Sequence, residues 1–302
     1  MQALSLSVLA GIVALPTMGC DLCAVYSVSE ASGAAGRGFY AGLAEQYTRF
    51  GTLQEDGHKI ANDGEYINSS VAQVFAGYTF SDRLSLQLNL PIIYRSFGSS
   101  DAHGSENGVG DLSLVANYRV YQKMGEAFTF TWTALGGVKF PTGDSARLGG
   151  DDFSAGIGGH DLALGSGSFD GVVGTGIFAR WTKLFLTANT QYSIRSEGDF
   201  GHQYANDLTW SGGPGYFLAL GHTYTLALQA VVSGEYKGKD TFYGVADPDS
   251  AETIVYLGPQ VNFTWGGSLS AQAGVDVPVS IFGTGVQVVP DYRIHMAVTF
   301  RF

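Results

Sequence analysis

Basic residues are scarce in this chain. Lysine and arginine together number 16 against 27 aspartates and glutamates, and the formal net charge is −11. A protein that binds nucleic acid needs a basic footprint to displace counterions, so this balance argues against nucleic acid as a partner. Charge of either sign is thin, at 14% of residues, below the usual share in soluble domains. The only two cysteines are Cys20 and Cys23, so a four-cysteine zinc site within one chain is excluded. After the first 19 residues no apolar run is long enough for a spanning helix. Those residues, "MQALSLSVLAGIVALPTMG", run apolar from Ala3 to Leu15 and then turn to Pro16 and small residues. They read as the h-region and cleavage zone of a secretory signal peptide. Such a signal usually starts with basic residues, yet the first here is Arg37, which suggests a truncated or mis-assigned start.

Glycine, with 43 residues, and the aromatics, with 16 tyrosines and 19 phenylalanines, are plentiful. That composition favours strands and turns. Beyond Arg37 the pattern has period two, the mark of a strand with unlike faces. "RLSLQLNLPIIYR" places Leu84, Leu86, Leu88, Leu90, Ile92 and Tyr94 on one face, with Ser85, Gln87, Asn89 and Arg95 on the other. The chain ends on "YRIHMAVTFRF", where Tyr292, Ile294, Met296, Val298, Phe300 and Phe302 alternate with more polar residues. Twelve such segments fall near 38–50, 66–80, 83–95, 109–121, 126–140, 168–180, 183–195, 206–220, 223–236, 252–264, 268–281 and 289–302. Their connections alternate between short turns, such as Ser81-Asp82 and Gly266-Gly267, and long ones near 51–65, 96–108, 141–167, 196–205, 237–251 and 282–288.

A soluble sandwich gives no reason for that alternation, whereas a transmembrane barrel has short periplasmic turns and long outer loops. Lipid cannot satisfy exposed backbone groups, so a sheet that crosses a bilayer must close on itself. The expected fold is all-β: an antiparallel up-and-down barrel of twelve strands over 38–302, in the bacterial outer membrane, preceded by a signal (1–19) and a periplasmic segment (20–37). Aromatics near the strand ends, among them Tyr78, Phe80, Tyr94, Phe128, Trp181, Tyr224 and Trp265, fit two interfacial girdles. The aromatic last residue resembles the signal that the barrel-assembly machinery reads. The polar face should line the lumen with Gln73, Gln87, Asn89, Asn117, Asn189, Gln191, Gln229, Gln260, Asn262, Gln272, Asp276, Arg293 and His295. Wall charges of both signs (Arg119, Arg180, Arg195 and Arg293 against Glu45, Asp111, Glu235 and Asp276) predict mild ion selectivity. Acidic long loops would face lipopolysaccharide and its bridging cations, or draw cations to the pore mouth.

Other candidates for chemistry remain open. Cys20 and Cys23 form a CxxC, which supports a local disulfide, two idle thiols, redox exchange or half of a metal site, and so a docking point for a periplasmic redox or metal protein. "TMGC" is also lipobox-like, which would lipidate Cys20. His58, His103, His160 and His202 lie in four different long loops, where imidazoles and carboxylates would gather a metal only if the loops converge. His160-Asp161 and His202 are also the candidates for an outer-membrane hydrolase, although nothing in their spacing is diagnostic. No cofactor motif is present: the glycine-rich runs lack the following helix and the lysine of a phosphate-binding loop.

The most specific stretch is "GGVKFPTGDSARLGG" followed by "LALGSGSFDGVVGTGIFARW". Lys139, Pro141, Thr142, Gly143 and Asp144, then Gly165, Ser166, Gly167 and Asp170, resemble the outer-membrane transporter family associated with the meta-pathway of phenol degradation, itself similar to long-chain fatty-acid transporters. The resemblance implies passive passage of small, often apolar or aromatic, compounds. Alternation places Lys139 and Asp170 on the lumen side, where a pair across neighbouring strands would close the outer mouth. The fatty-acid transporters carry a long N-terminal hatch, and residues 20–37 leave room for a short inserted segment only.

Overall fold

A computed structural model describes residues 37–99, 103–150 and 157–302. The expected signal peptide, Cys20 and Cys23 with the segment around them, and the loop acids Asp151 and Asp152 lie outside the described residues. Twelve strands form the wall: β1 (Gly38–Glu55), β2 (Tyr66–Thr79), β3 (Leu84–Gly98), β4 (Ser113–Lys123), β5 (Phe128–Lys139), β6 (Asp170–Trp181), β7 (Leu184–Ile194), β8 (Asp207–Leu220), β9 (Tyr224–Lys237), β10 (Glu252–Trp265), β11 (Leu269–Gly283) and β12 (Val286–Arg301). Each pairs antiparallel with its neighbours in chain order. The ladder closes where β1 meets β12, from Tyr40 opposite Arg301 to Glu55 opposite Val286.

Closure leaves no edge strand in the wall formed by the described residues, so that backbone can face hydrocarbon without unpaired donors. The side chains obey the same logic. On β12, Met296 and Phe300 are each 51% exposed on the outer wall, while His295, next to Met296, is 4% exposed and points inward. On β3, Leu88, Ile92 and Tyr94 face out, and Gln87, Asn89 and Arg95 are buried inside. The outer wall is the apolar one, the reverse of a soluble barrel. Met296→Lys should therefore cost about 2–4 kcal/mol if it lies near the bilayer midplane. Gln272→Lys, on the wet side, should change stability little. Urea unfolding in lipid vesicles compares the two, and the opposite ranking would invert the faces.

Two departures from the expected bounds come from strands that outrun the membrane. Where a loop over 96–108 was expected, β3 continues to Gly98, and the strand His103–Val109 returns along it from Gly98 opposite His103 to Ile92 opposite Val109. Below Asn89 the partner of β3 is β4. The expected long connection near 282–288 shrinks to Thr284-Gly285, with Gly285 at φ 67° to make the turn. Within that hairpin the ladder ends at Asp276 opposite Arg293. Above it β11 pairs with β10 and β12 with β1. Pro278 and Pro290, one on each side of this break, have no N–H to offer the ladder.

One wall charge is reversed. Glu45 was expected inside, but β1 turns Tyr40, Ala44, Gln46 and Thr48 inward. Glu45 stands opposite Met296 on the outer face, where Ser70 Oγ donates to it at 2.6 Å. An amphipathic alternation fixes the parity of a whole strand, and Gln46 rather than Glu45 falls on the polar side.

Candidate functional site: the bore and its outer mouth

The motif residues build the outer mouth. Lys139 ends β5 and Asp170 begins β6, opposite one another in register. The ammonium of Lys139 lies 2.9 Å from Asp170 and 2.5 Å from Asp111, and it also donates to Ser166 Oγ. Pro141 sits where the chain leaves the sheet. Thr142 Oγ1 accepts from Leu112 N at 2.8 Å and donates to Gly110 O at 3.1 Å. Gly143 N donates to Asp111 Oδ1 at 2.9 Å. The Asp144 carbonyl accepts from Leu164 N and Gly165 N at 3.0 and 2.9 Å. At Gly165 a Cβ would come within 2.5 Å of the Gly143 carbonyl, so the two backbones cross at a distance only glycine permits. Gly167 has φ +68°. The motif therefore works as a clasp that turns the described loop residues, 141–150 and 157–169, back toward the barrel.

What the clasp turns inward is apolar. Leu164 packs on Val71 and Ile93 of the inner wall, and Leu148, Ala163 and Tyr204 form a second cluster. Arg95 Nη1 reaches up from β3 and donates to the carbonyls of Asp161 and Ala163 at 2.6 and 3.0 Å. A relay of ion pairs continues round the mouth: Arg195 lies 3.0 Å from Asp170 and 2.7 Å from Asp207, and Lys237 lies 2.8 Å from Asp240. Asp170 is further held by Ser168 Oγ at 2.8 Å and Ser196 N at 3.0 Å. Buried charges need this degree of pairing to offset their desolvation.

Below the mouth lies a cavity of about 230 Å³. It is off-centre. On the β1–β4 side, the Phe75 ring covers Gly42 and the Tyr40 ring covers Gly77, and Gln73, Gln87, Asn89 and Ser113 are zipped together by amide hydrogen bonds of 2.6–3.1 Å. Those amides point inward but fill the space. Asn117 lies on the inner face of β4, outside the cavity lining. The lining includes Asn189, Gln191, Gln229, Gln260, Asn262, Gln272, Asp276, Arg293 and His295. Arg293 holds Asp276 at 2.8 Å and Ser233 at 2.9 Å, with its guanidinium 4.2 Å over the Tyr256 ring. His295 stands 3.3 Å from both Asp276 and Gln260. Toward the short-turn end the lining changes to Phe178, Phe185 and Phe217, with ring centroids 5.9 and 5.0 Å apart in succession.

The loop histidines divide. His160 and His202 come together with rings 6.3 Å apart, and Tyr204 packs edge-on to His202. His58 and His103 stay on separate strands. Among the described residues no group of three or more His, Cys, Asp or Glu side chains is placed to hold a metal. Gln46 and Asp207 belong to the bore or mouth but were not named from sequence, and Arg95, placed on the polar face of its strand, was not foreseen as the residue that holds the loop. Inward parity at the start of β8 would have found Asp207.

A closed barrel with an apolar exterior, a polar bore, short turns at one end and folded loops at the other is an outer-membrane β-barrel. The chain belongs to the family described as "Putative MetA-pathway of phenol degradation", whose model matches residues 62–288. Among solved structures it is similar to an outer membrane channel from Pseudomonas putida F1, at TM-score 0.67 and 16% identity over 90% of this chain and 98% of that one. It is also similar to the β domain of the Bordetella autotransporter BrkA, at TM-score 0.50 and 11% identity over 88% of this chain and all of that one. Identities this low speak for the fold alone. No curated protein matches.

Proposed function

We propose that the protein is a channel for passive passage of small solutes across the outer membrane. The observation that carries this reading is the amide- and hydroxyl-lined cavity inside a closed apolar tube. Buried amides of a soluble core would be costly at this density, whereas a wet bore supplies their remaining partners. The family description and the Pseudomonas channel support the same reading. The ledge of Phe178, Phe185 and Phe217 below the amides favours solutes with an apolar or aromatic body. The half-filled bore and the inward loop predict a small unitary conductance. Purified protein in planar bilayers should give discrete openings, and liposomes containing it should admit small aromatic solutes. Silence in both assays would end the channel reading.

A further inference from the structure

The cavity is lined by few charges. Among the described residues these are the carboxylates of Glu235 and Asp276 and the guanidinium of Arg293. Of the other lining side chains, only the imidazole of His295 can change its charge under mild conditions. Imidazoles as a class gain a proton between about pH 8 and about pH 5.

Both ring nitrogens of His295 face acceptors. Nδ1 lies 3.3 Å from the Asp276 carboxylate, which also accepts from Arg293 Nη2 and Nε at 2.8 and 3.1 Å. Nε2 lies 3.3 Å from Gln260 Oε1. That amide cannot turn its nitrogen to the ring, because a chain of hydrogen bonds orients it. Gln229 Nε2 donates to the Gly213 carbonyl at 3.1 Å and to Thr187 Oγ1 at 2.6 Å, and a carbonyl only accepts. Gln229 Oε1 is therefore left for Asn262 Nδ2 at 3.3 Å, and Asn262 Oδ1 accepts from Gln260 Nε2 at 2.7 Å. Gln260 Oε1 is what remains for His295. The ring lies over Gly274, where a Cβ would come within 2.5 Å of Nε2. A neutral imidazole has one N–H and can serve one of the two acceptors, whereas an imidazolium serves both. Neighbouring strands bring few other charges to the ring. Besides Asp276 from β11 and Arg293 from β12, β10 brings Tyr256 beside Arg293 and β9 brings Glu235. The inward residues of β1 around Gln46, which stands opposite His295, are Ala44 and Thr48, and neither titrates.

We propose that His295 is a proton-operated charge in the cavity and so sets the ion preference of the bore. The neutral ring leaves the cavity to Glu235, Asp276 and Arg293. The protonated ring, held by Asp276 and Gln260, adds a positive charge that opposes cations and favours anions. The effect on transport rests on the channel reading, and the switch itself rests on the two acceptors.

The test uses the full chain in planar bilayers under a potassium chloride gradient, where the reversal potential gives the ratio of cation to anion permeability. From about pH 8 to about pH 5 that ratio should fall about fivefold. His295→Gln, which keeps a polar side chain but cannot take the proton, should remove most of the fall. His222→Gln, on an exposed short turn, should keep all of it. Heat-modifiable electrophoretic mobility reports whether each variant keeps its barrel. Gln260→Leu, which takes away one acceptor, should move the fall to lower pH, so the comparison survives a His295→Gln variant that fails to fold. Nitrogen NMR of histidine-labelled protein in detergent reads the ring without any flux. The signal missing from His295→Gln should be that of a neutral ring at about pH 8 and of a ring protonated on both nitrogens at about pH 5. A fall that persists in folded His295→Gln, a Gln260→Leu profile that matches the native one, or a ring that stays in one state would each overturn the proposal and leave the channel reading standing. A silent protein whose ring still changes state would overturn the channel reading and uphold the switch.

Discussion

Joining Asp144 to Gly165 through a short glycine–serine link should raise the unitary conductance several-fold while the barrel stays folded. The reasoning is geometric. The loop's own clusters lie within the tube: Leu164 packs on Val71 and Ile93, and Ala163 is fully buried beside Leu148 and Tyr204. Current entering from outside must pass whatever gap these leave, in series with the wider cavity below. Arg95→Ala is the milder version. It removes the hydrogen bonds to the carbonyls of Asp161 and Ala163 without shortening the chain, and should produce flickering between the native level and a larger one. An unchanged conductance in the shortened chain would mean that ions bypass the mouth. The break in the β11–β12 ladder above Asp276 and Arg293 would then be the place to look.

The wall was legible in the sequence because hydrocarbon imposes a simple rule on it. Alternate residues of each strand face lipid, so the strand from Leu84 to Tyr94 and the terminal run from Tyr292 to Phe300 declare their faces without reference to any partner. Glu45 escaped this reading because its own strand mixes tyrosine, arginine and glutamate on the outer side, where the Ser70 hydroxyl donates to the Glu45 carboxylate. The mouth was legible only in part. Parity gave the pairing of Lys139 with Asp170, which the structure places at 2.9 Å. Asp111 is the third member, reached from the other side through Gly143 N and Ser166 N. Alternation in its own segment marks it as an inward wall charge, but nothing local marks its pairing, because its partners are 28 to 55 residues away. The inward fold of the loop was also hidden. It depends on a glycine–glycine crossing between Gly143 and Gly165, and period and propensity carry no signal for two backbones meeting at van der Waals distance.

Lys139→Met should destabilise the barrel by about 3–5 kcal/mol, the cost typical of removing one partner from a buried ion pair. The substitution keeps the length and apolar stem of the side chain, so the effect isolates the charge. Asp111 and Asp170 would then lose their shared cation in a site where their side chains are 6% and 1% exposed. Asp170 would retain Arg195 at 3.0 Å. Asp111 would retain only hydrogen bonds, from Gly143 N, Ser166 N and Ser166 Oγ. Combining Lys139→Met with Asp111→Asn removes the orphaned charge and should recover part of the loss, a coupling that a double-mutant cycle measures directly. The exposed pair between Arg147 and Glu106 is the comparison: Arg147→Met should cost less than about 1 kcal/mol, as surface pairs do. Unfolding midpoints in detergent read all four variants. If Lys139→Met matched Arg147→Met, the clasp would rest on its glycines and backbone hydrogen bonds, and the buried lysine would hold the loop no more firmly than a surface charge.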